Sequence, residues 1–383
     1  MRVLVLGCGR MGSAIAMDMA HTDEVSKVVL GDFEEKKTEH LAAKLESDKV
    51  LGQRVDVMDQ QATVKLMKNF DIVMSALPYG ISVLASKAAV EAGVHLVDLS
   101  CEEQQWELDT PAKEAGVTLV PDCGVAPGLA NILAGYGVSL MDEAEEIHII
   151  CGGIPQKPVP PLGYRIVFST QGLVGMYCEK SRIVRNGKIV EVDTLSGLEK
   201  VEFPGVGELE AFYTDGLSTL LRTMKGKVKN MDEKTARWPG HAEKIEAFRN
   251  TGFFHNEPIE VDGVKIVPRK VAVSILDKAL KLGGEEDVTV LEVDVTGKKD
   301  GNNVEHSFVM VDFFDKQRRV TSMARTTGYT AAIVGRMVAR GDIRERGVVP
   351  PEIAVARKFK RFTSELVDRR IRIQEVSRVK RFL

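Results

Sequence analysis

Three glycines near the start of the sequence, Gly7, Gly9 and Gly12, have the spacing G-x-G-x-x-G. They follow the apolar stretch Val3–Leu6, which is typical of a buried strand, and they open the helical pattern Met11–Ala20. In such a turn the first glycine permits the tight bend, the second lets the backbone approach a pyrophosphate, and the third allows helix and strand to pack closely. We therefore predict that this turn binds a dinucleotide, with its phosphates at the helix N-terminus.

Asp32 lies at the end of the second predicted strand, twenty residues after Gly12. A carboxylate at this position can accept hydrogen bonds from the adenosine ribose hydroxyls, and it repels the 2′-phosphate of NADP. The neighbouring residues Glu34 and Glu35 add negative charge. The sequence therefore predicts NAD as the cofactor.

Further cofactor contacts are expected where later strands end, because ligands of open parallel sheets bind beyond the carboxyl ends of the strands. Asp56 can meet the adenine amino group or serve as a surface turn residue, and both interpretations stay open. Ser75–Pro78 is expected to flank the nicotinamide ribose, and Asp98–Ser100 follows the next strand. The predicted cofactor contacts are Gly7, Gly9, Arg10, Met11, Gly12, Asp32, Asp56, Val57, Ala76, Leu77, Pro78, Asp98 and Ser100.

The first 125 residues alternate short apolar runs with helical patterns. The runs are rich in Val, Ile and Leu, which is typical of parallel strands buried on both faces. This alternation predicts the α/β class, with a doubly wound parallel sheet of the Rossmann type. The predicted strands are Val3–Leu6, Lys27–Gly31, Arg54–Val57, Asp71–Ala76, His95–Leu99 and Thr118–Val120. The predicted helices are Met11–Ala20, Glu34–Ser47, Gln60–Met67, Ile81–Ala92 and Gln104–Ala115.

After Pro127 the pattern changes to amphipathic strands separated by polar turns, which predicts a mixed or antiparallel sheet in an α+β domain. Gly152–Gly163 carries four prolines and is expected to be an extended loop that follows the strand Glu145–Cys151. Hairpin turns are expected at Arg185–Gly187, Asp262–Gly263 and Lys298–Asn302. Helices are expected at His241–Arg249 and Lys270–Leu282.

These patterns predict two domains, one of them inserted into the other. The Rossmann domain spans residues 1–125 and is completed by about 323–383. The inserted domain spans residues 126–322. An apolar helix is expected over Thr330–Arg340, and the basic tail Ala356–Leu383 has a helical pattern.

The composition excludes several classes of protein. The formal net charge of −3 argues against a dedicated nucleic-acid binder, which usually has a strongly basic domain. No apolar run reaches the roughly 18 residues of a membrane helix, and no signal-peptide pattern is visible. We therefore expect a cytoplasmic protein with neither a nucleic-acid nor a membrane partner. The five cysteines have no metal-ligand spacing, so we expect reduced thiols and no metal site.

A set of motifs that runs in order over nearly the whole chain resembles the saccharopine dehydrogenase-like family, and within it the lysine 6-dehydrogenases. The resemblance implies that the inserted domain holds the substrate, the catalytic residues and the oligomer contacts. It also implies a homodimer or homotetramer, and NAD-dependent oxidation of an amine. Related sequences often carry an acidic residue in the stretch corresponding to Gln171–Tyr177, whereas this sequence has none there. The motifs are Pro121–Asn131, Gly152–Pro155, Pro160–Leu162, Arg185–Gly187, Asp215–Leu217, Arg237–Lys244 and Gly347–Glu352.

Oxidation of an amine by hydride transfer needs a neutral amine and a base that activates water for hydrolysis of the imine. His241 is the first candidate, because it follows the turn Trp238–Gly240 and opens a predicted helix, where its ring can point into a cleft. The alternative is a histidine that caps or packs at the helix start. Asp122 can hold a substrate ammonium or steer water, and its alternative is a turn residue bonded to the Gly124–Gly128 loop.

Substrate contacts are expected from three further regions. The polar stretch Tyr213–Thr219 can recognise an amino-acid head group or form an ordinary surface turn. Arg325 can pair with a substrate carboxylate through its planar guanidinium, or bridge the domains. Asn131 is either a helix cap or a ligand. The predicted substrate-binding residues are Tyr213, Thr214, Asp215, Thr219, Asn131 and Arg325.

Three functions stay open from the sequence. The first is oxidative deamination of an amino acid, with the ε-amino group of L-lysine giving 2-aminoadipate 6-semialdehyde and ammonia. The second is a dehydrogenase or imine reductase acting on saccharopine or a carboxylated polyamine, which needs additional arginines for the extra carboxylate. The third is a scaffold that binds NAD without catalysis. Fold alone does not distinguish them.

Overall fold

The structure is a computed structural model that describes residues 1–380, and it contains two compact units. The first unit comprises Met1–Ser139 and Ala324–Ile371, and the second comprises Leu140–Met323 and the residues from Arg372 onward. The sequence placed the first boundary at residue 125, whereas helix Leu129–Ser139 lies within the first unit. None of the helices in residues 1–380 has the length and apolar character needed to cross a membrane.

The first unit is built on a seven-stranded sheet in the order β17-β6-β5-β4-β1-β2-β3, with every neighbouring pair parallel. Its first strands are β1 Arg2–Leu6, β2 Lys27–Asp32, β3 Val50–Arg54, β4 Ile72–Ser75, β5 His95–Asp98 and β6 Thr118–Val120. The helices between and after them are α1 Arg10–Ala20, α2 Glu35–Leu45, α3 Gln60–Met67, α4 Ser82–Ala92, α5 Glu103–Trp106, α6 Asp109–Glu114 and α7 Leu129–Ser139. A buried apolar core that includes Leu4, Leu6, Val73 and Leu96 holds the sheet and helices together.

The second unit is built on a nine-stranded mixed sheet, in which β10-β11-β12-β7-β15-β16-β18 form one path and β8 and β9 branch from β12. Its strands are β7 Glu143–Pro155, β8 Ser181–Arg185, β9 Lys188–Val192, β10 Glu199–Phe203, β11 Gly207–Tyr213, β12 Asn230–Arg237, β13 Ile259–Val261, β14 Val264–Ile266, β15 Asp287–Lys299 and β16 Asn302–Phe313. Its helices are α8 Thr170–Cys178, α9 Leu220–Thr223, α10 His241–Asn250 and α11 Pro268–Ala279. Strands β13 and β14 form a separate two-stranded sheet.

The chain then continues through α12 Ser322–Ala339, β17 Gly347–Val348, α13 Pro351–Ala354, the 3₁₀ turn Ala356–Lys358, α14 Phe359–Asp368 and β18 Gln374–Lys380. The predicted fold class is confirmed: a parallel Rossmann-type sheet occurs with an inserted α+β region on a mixed sheet. All three predicted hairpin turns are present, with β8–β9, β13–β14 and β15–β16 as the paired strands.

The third strand was predicted over Arg54–Val57, and that prediction is wrong because the strand is Val50–Arg54. This strand lies at one edge of the sheet, so only one of its two edges is paired with a neighbouring strand. Leu51 on it is half exposed. The prediction rested on the apolar residues Val55 and Val57. They lie in the loop after the strand, and their side chains are buried.

The prediction of a loop over Gly152–Gly163 is wrong for its first residues, because β7 runs through Gly152 and Gly153 and ends at Pro155. The two glycines pair with Val290 and Thr289 of β15, and the side chain of Met323 packs so close to Gly153 that an added Cβ would lie 2.1 Å from it. The tail was predicted to be helical, but only Phe359–Asp368 forms an α-helix. β18 then pairs antiparallel with β16, along the edge of β16 that β15 leaves free. Residues 381–383 of the predicted helix lie outside the described residues.

Candidate functional site

The glycine turn at the end of β1 is shaped by close backbone packing. Gly7 has φ +90°, and a Cβ there would lie 2.6 Å from the carbonyl oxygen of Ala76. A Cβ on Gly12 would lie 1.8 Å from the carbonyl oxygen of Gly7, whereas one on Gly9 would meet no atom of the described chain within 4 Å. Gly7 and Gly12 are therefore required by the turn itself, and Gly9 leaves open space beside it. These are the features a pyrophosphate needs.

Helix α1 begins at Arg10, and Gly9 occupies its N-cap position. Within the described residues no side chain caps this helix end, and its first turn has no acidic residue. The first N–H groups of a helix have no intrahelical acceptor, and the helix dipole favours an anion there. The predicted contacts Arg10 and Met11 lie in this first turn, so the residues present fit a dinucleotide phosphate.

Asp32, at the end of β2, is held beside the glycine turn by two backbone donors. Its Oδ2 accepts a hydrogen bond from the Cys8 N–H at 2.8 Å, and its Oδ1 accepts one from the Glu34 N–H at 3.0 Å. Burial and the nearby Asp32 carboxylate raise the pKa of the Cys8 thiol to about 12, so this thiol stays protonated at neutral pH. Arg54 lies over the exposed ring of Phe33 at 4.8 Å from its centroid.

The loops after β4 and β5 contain the other predicted cofactor contacts. Ala76 approaches Gly7, and Leu77 and Pro78 continue from it. Asp98, however, is fully buried, and its carboxylate accepts hydrogen bonds from the Ser100 N–H at 3.2 Å and the Gln105 Nε2 at 3.0 Å. Burial raises the pKa of Asp98 to about 7. The Asp98 side chain thus organises its own loop, and the buried Ser100 hydroxyl does the same by donating to Ser82.

Asp56 lies two residues beyond the end of β3, and its Oδ1 accepts a hydrogen bond from the Met58 N–H at 3.0 Å. This contact is the one expected of a turn residue. Val57 is buried, so its side chain belongs to the core of the first unit rather than to an open surface.

Asp122 lies in the loop between β6 and α7, is almost fully buried and has φ +52°. Its N–H donates to the carbonyl of Ser100 at 3.1 Å, which joins this loop to the one after β5. Asn131, in the first turn of α7, is also buried and accepts a hydrogen bond from the Gly128 N–H at 3.1 Å. The structure therefore brings Asp122 to the carboxyl end of the sheet, and it gives Asn131 a loop-holding contact.

His241 begins α10 as predicted and is 1% exposed, which is the burial expected of the alternative, a histidine that packs at the helix start. Its Nδ1 lies 2.8 Å from the Leu162 carbonyl oxygen, which only a protonated Nδ1 can bond. Its Nε2 therefore accepts from the Tyr177 hydroxyl at 2.8 Å. Burial and the Arg237 charge lower the pKa of His241 to about 3, so the ring is neutral at any pH of interest.

These contacts predict that His241→Ala lowers stability. The substitution leaves the Leu162 carbonyl and the Tyr177 hydroxyl without their ring partner in a buried site, at about 1–3 kcal/mol for each unsatisfied group. We expect a clear fall in the midpoint of urea unfolding, with NADH affinity retained. His255→Ala provides a control at an exposed histidine. An unchanged midpoint in His241→Ala would contradict the structural role.

The predicted polar loop Tyr213–Thr219 begins inside the sheet, because Tyr213 is the last residue of β11. Its hydroxyl accepts a hydrogen bond from Arg185 Nη2 at 2.8 Å, and Asp215 accepts from Arg182 Nη2 at 2.7 Å. Thr219 is buried. The side chains of Tyr213 and Asp215 therefore have partners within the second unit, which is the arrangement expected of a structured turn.

Arg325 of α12 is 6% exposed, and its Nη1 lies 3.5 Å from the Arg369 carbonyl oxygen within the first unit. Such burial and this internal contact are typical of a guanidinium that stabilises the packing of neighbouring helices. The predicted pairing of Arg325 with a substrate carboxylate stays a prediction.

Sequence reasoning missed two buried charged residues on β12, Glu233 and Arg237. The Thr214 hydroxyl donates to Glu233 Oε2 at 2.6 Å, and burial raises the pKa of Glu233 to about 8. Arg237 Nη1 donates to the Ala236 carbonyl at 2.9 Å, and Nε of Arg237 has no hydrogen-bond partner in residues 1–380. The signal was present, since positions 233, 235 and 237 alternate along a strand and share one face.

The cluster around Glu233 reaches α8. Thr214 Oγ1 lies 2.8 Å from Thr235 Oγ1, and Thr235 Oγ1 lies 3.8 Å from the sulfur of Met176. Met176 belongs to Gln171–Tyr177, the stretch for which the family resemblance implies an acidic residue. The second unit therefore has a buried carboxylate linked through two threonines to that stretch.

Family profiles match nearly the whole chain. The saccharopine dehydrogenase NADP binding domain matches residues 3–120, and the saccharopine dehydrogenase C-terminal domain matches residues 124–371. The chain belongs to the saccharopine dehydrogenase family. It is therefore an oxidoreductase that uses a nicotinamide cofactor, as the glycine turn predicted.

Curated relatives of this family carry several names. The chain is 25% identical to carboxyaminopropylagmatine dehydrogenase of Synechocystis over 91% of each protein. It is 22% identical to the NADP⁺-linked, L-glutamate-forming saccharopine dehydrogenase of Saccharomyces cerevisiae, covering 91% of this chain and 93% of that one. It spans only 34% of alpha-aminoadipic semialdehyde synthase of Arabidopsis thaliana, at 24% identity.

A solved structure has the same fold. Apo saccharopine dehydrogenase (L-Glu forming) from Saccharomyces cerevisiae superposes with a TM-score of 0.80 at 21% identity, over 98% of this chain and 99% of that one. The similarity covers residues of both units and therefore supports the fold described for each of them.

Proposed function

We propose that this family member is an NAD-dependent amino-acid dehydrogenase that oxidises the ε-amino carbon of L-lysine, giving 2-aminoadipate 6-semialdehyde and ammonia. The observation that carries the choice of an ammonium substrate is Glu233, a buried carboxyl group that accepts a hydrogen bond from the Thr214 hydroxyl and is linked through Thr214 and Thr235 to α8. Glu233 supplies a carboxylate beside the stretch where related sequences often have one. The motif resemblance to lysine 6-dehydrogenases supports the same substrate.

Asp32 supports NAD over NADP. Its two oxygens are aimed by the Cys8 and Glu34 N–H groups, and each oxygen keeps a lone pair for a ribose hydroxyl. A 2′-phosphate would bring a second anion against this carboxylate. When bound, the nicotinamide supplies hydride transfer. The residues of this chain bind its phosphates at the start of α1 and hold its adenosine at Asp32.

Two carboxyl groups are suited to proton handling. Asp122 lies at the carboxyl end of β6, and we assign it to orienting the ammonium or the hydrolytic water. Glu233 is protonated at neutral pH and ionises as the pH rises through about 8, when it can accept the ammonium proton. His241 has no such role in this proposal, because its ring is neutral and both its nitrogens have partners.

A second candidate is a secondary amine that carries an additional carboxylate, such as saccharopine or a carboxylated polyamine. The observation that favours it is Arg237, a buried guanidinium whose Nε has no partner in the described chain and which lies over the Tyr164 ring. A substrate carboxylate is the natural acceptor for such a group. The relative from Synechocystis is named for a substrate of this kind.

The experiment that separates these candidates follows NADH absorbance with NAD⁺ and each of lysine, ornithine, saccharopine and a carboxylated polyamine, from pH 7 to pH 10. We expect reduction with lysine to exceed that with ornithine by at least about tenfold, since loss of one buried methylene and a shifted amine cost about 1–3 kcal/mol. Turnover of saccharopine without turnover of lysine would replace the first candidate by the second. Reduction with none of these substrates contradicts both.

The cofactor proposal has its own test in Asp32→Ser. The wild type is expected to bind NADH more tightly than NADPH, and the variant is expected to reduce that ratio by about tenfold or more because the anion that faces the 2′ position is gone. Fluorescence titration of both nucleotides measures the ratio. Asp56→Ser is the matched control, because that carboxylate is engaged in a turn. Tighter binding of NADPH by the wild type would overturn the proposal.

A further inference from the structure

A cleft in the first unit lies between two connecting segments near the end of the chain. One wall is the segment 341–345, which follows α12 and leads towards β17, and the other is the segment 354–358, which contains the 3₁₀ turn before α14. The cleft has a volume of about 360 Å³, within the roughly 300–1,000 Å³ of small-ligand sites. We call it the basic cleft, and it is lined by Gly341, Asp342, Arg344, Glu345, Ala354, Arg357 and Lys358.

Three basic side chains of the basic cleft have no carboxylate bound to them. Arg344, Arg357 and Lys358 are all exposed, and none of them forms an ion pair within residues 1–380. Arg344 Nε donates to the Gly341 carbonyl oxygen at 3.2 Å, which holds this guanidinium on its wall of the cleft. These three positive charges are therefore available to a bound anion.

The two carboxylates of the basic cleft are already engaged. Asp342 accepts hydrogen bonds from Arg340 Nε at 3.0 Å and from Arg361 Nη1 at 2.6 Å, so two guanidinium groups outside the lining offset its charge. Glu345 Oε2 accepts a hydrogen bond from the Arg344 N–H at 3.0 Å. The electrostatic field in the cleft is therefore positive, and it favours a ligand that carries more than one negative charge.

The start of α14 adds to this positive field. Lys358 is its N-cap residue, no side chain caps this helix end in the described part of the chain, and its first turn has no acidic residue. The first turn instead carries Lys360 and Arg361. A helix dipole favours anions at the N-terminus and disfavours cations there. An anion bound in the basic cleft therefore offsets an unfavourable local arrangement of charge.

The basic cleft is separate from the glycine turn. Arg344 and Glu345 come shortly before β17, whereas the glycine turn follows β1. Neighbouring strands from β17 to β1 are all parallel, so the start of β17 and the end of β1 lie at opposite ends of the sheet. A dinucleotide binds at the carboxyl end of such a sheet. The positive charges of the basic cleft are therefore not part of the dinucleotide site.

We propose that the basic cleft binds a small molecule that carries a diphosphate or two neighbouring phosphate groups. A guanidinium bonds two phosphate oxygens at once, and the Lys358 ammonium adds a point charge. A ligand with several negative charges engages all three bases, whereas a single carboxylate leaves most of them unpaired. This inference does not rest on the proposed substrate or on the cofactor preference.

Isothermal titration calorimetry with inorganic pyrophosphate tests the proposal. The full chain is first saturated with whichever of NADH and NADPH it binds more tightly, so that the dinucleotide site is filled. At constant ionic strength, one pyrophosphate is expected to bind per chain, at least about tenfold more tightly than sulfate. ADP in the same titration separates two sources of a diphosphate: tighter binding of ADP supports a nucleotide ligand, and tighter binding of pyrophosphate supports the free ion.

Variants of the two arginines test the site itself. Arg344→Gln combined with Arg357→Gln is expected to weaken pyrophosphate binding by at least about tenfold, because two bidentate donors are lost. Arg344→Lys combined with Arg357→Lys keeps the charge without the planar fork, and a smaller loss is expected. Lys270→Gln combined with Arg319→Gln is the matched control, since it removes two exposed bases of the second unit and should leave binding unchanged.

Circular dichroism melting curves establish that the variants are folded. Pyrophosphate that fails to bind the nucleotide-saturated chain, or that binds no more tightly than sulfate, would overturn the proposal. Wild-type binding by the Arg344→Gln and Arg357→Gln double variant would also overturn it. An equal loss in the control variant would do the same, because net charge alone would then account for the attraction.

Discussion

Gly12→Ala is expected to abolish nucleotide binding and to lower stability, whereas Gly9→Ala is expected to abolish binding alone. The methyl group at position 12 would lie 1.8 Å from the Gly7 carbonyl oxygen, so the turn or the helix has to move. Such overpacking costs about 1–3 kcal/mol of folding free energy. A methyl group at position 9 meets no atom of the described chain within 4 Å and fills only the space left for the pyrophosphate.

Two measurements on the same variants separate these effects. Fluorescence titration with NADH reports binding, which we expect to weaken by at least about a hundredfold in both variants. Urea unfolding reports stability, which should fall in Gly12→Ala only. Gly175→Ala in α8 is the control, since its added methyl has only an ordinary contact with Glu179 at 3.8 Å. Full NADH affinity in Gly9→Ala would mean that the phosphates bind elsewhere.

Glu233→Gln is expected to lower kcat/KM for the amine substrate by about a hundredfold or more. It is also expected to remove the rise of kcat/KM with pH near pH 8. In the wild type, kcat/KM should rise as Glu233 ionises near pH 8 and becomes able to accept a proton. The amide keeps the size and the bond to Thr214 but cannot accept that proton. NADH affinity should not change, because the nucleotide is held in the first unit. Initial rates from pH 6 to pH 10 measure the profile.

The same pKa predicts how stability depends on pH. Burial raises the pKa of Glu233 from 4.5 to about 8, so the folded state favours the protonated form. The stability associated with that preference is fully present below pH 4.5 and is lost as the pH rises through about 8. Glu233→Gln should therefore resemble the wild type at pH 5 and unfold at a higher urea concentration than the wild type at pH 9.

Glu210→Gln is the matched control for both measurements. Glu210 lies on the neighbouring strand β11, is also buried, and accepts hydrogen bonds from the Gly240 and Ala242 N–H groups at the start of α10. Its loss should lower stability at every pH and leave the shape of the kcat/KM profile unchanged. A profile that changes equally in both variants would show that Glu233 acts only through the structure of the unit.

Much of the first unit follows from local patterns. The predicted strands Lys27–Gly31 and Thr118–Val120 differ from the observed strands by no more than a residue, because central parallel strands are apolar throughout. The prediction for β3 was displaced along the chain because an edge strand has an exposed side. Exposed residues such as Leu51 and Arg54 do not form a continuous apolar run. The tail was assigned to a helix because nothing within Gln374–Lys380 itself reveals the unpaired edge of β16.

The features of the candidate site also fall into those set by local sequence and those set by tertiary structure. The sequence by itself determined the glycine turn, its dinucleotide and the position of Asp32, since these depend on backbone conformation and on spacing along one βαβ unit. Only the tertiary structure decided that His241 is buried against Leu162 and Tyr177, that Asp98 organises a loop, and that Glu233 is buried with a raised pKa. The reason is physical: burial and pKa depend on what neighbouring strands and helices place around a group, and those neighbours are distant in the sequence.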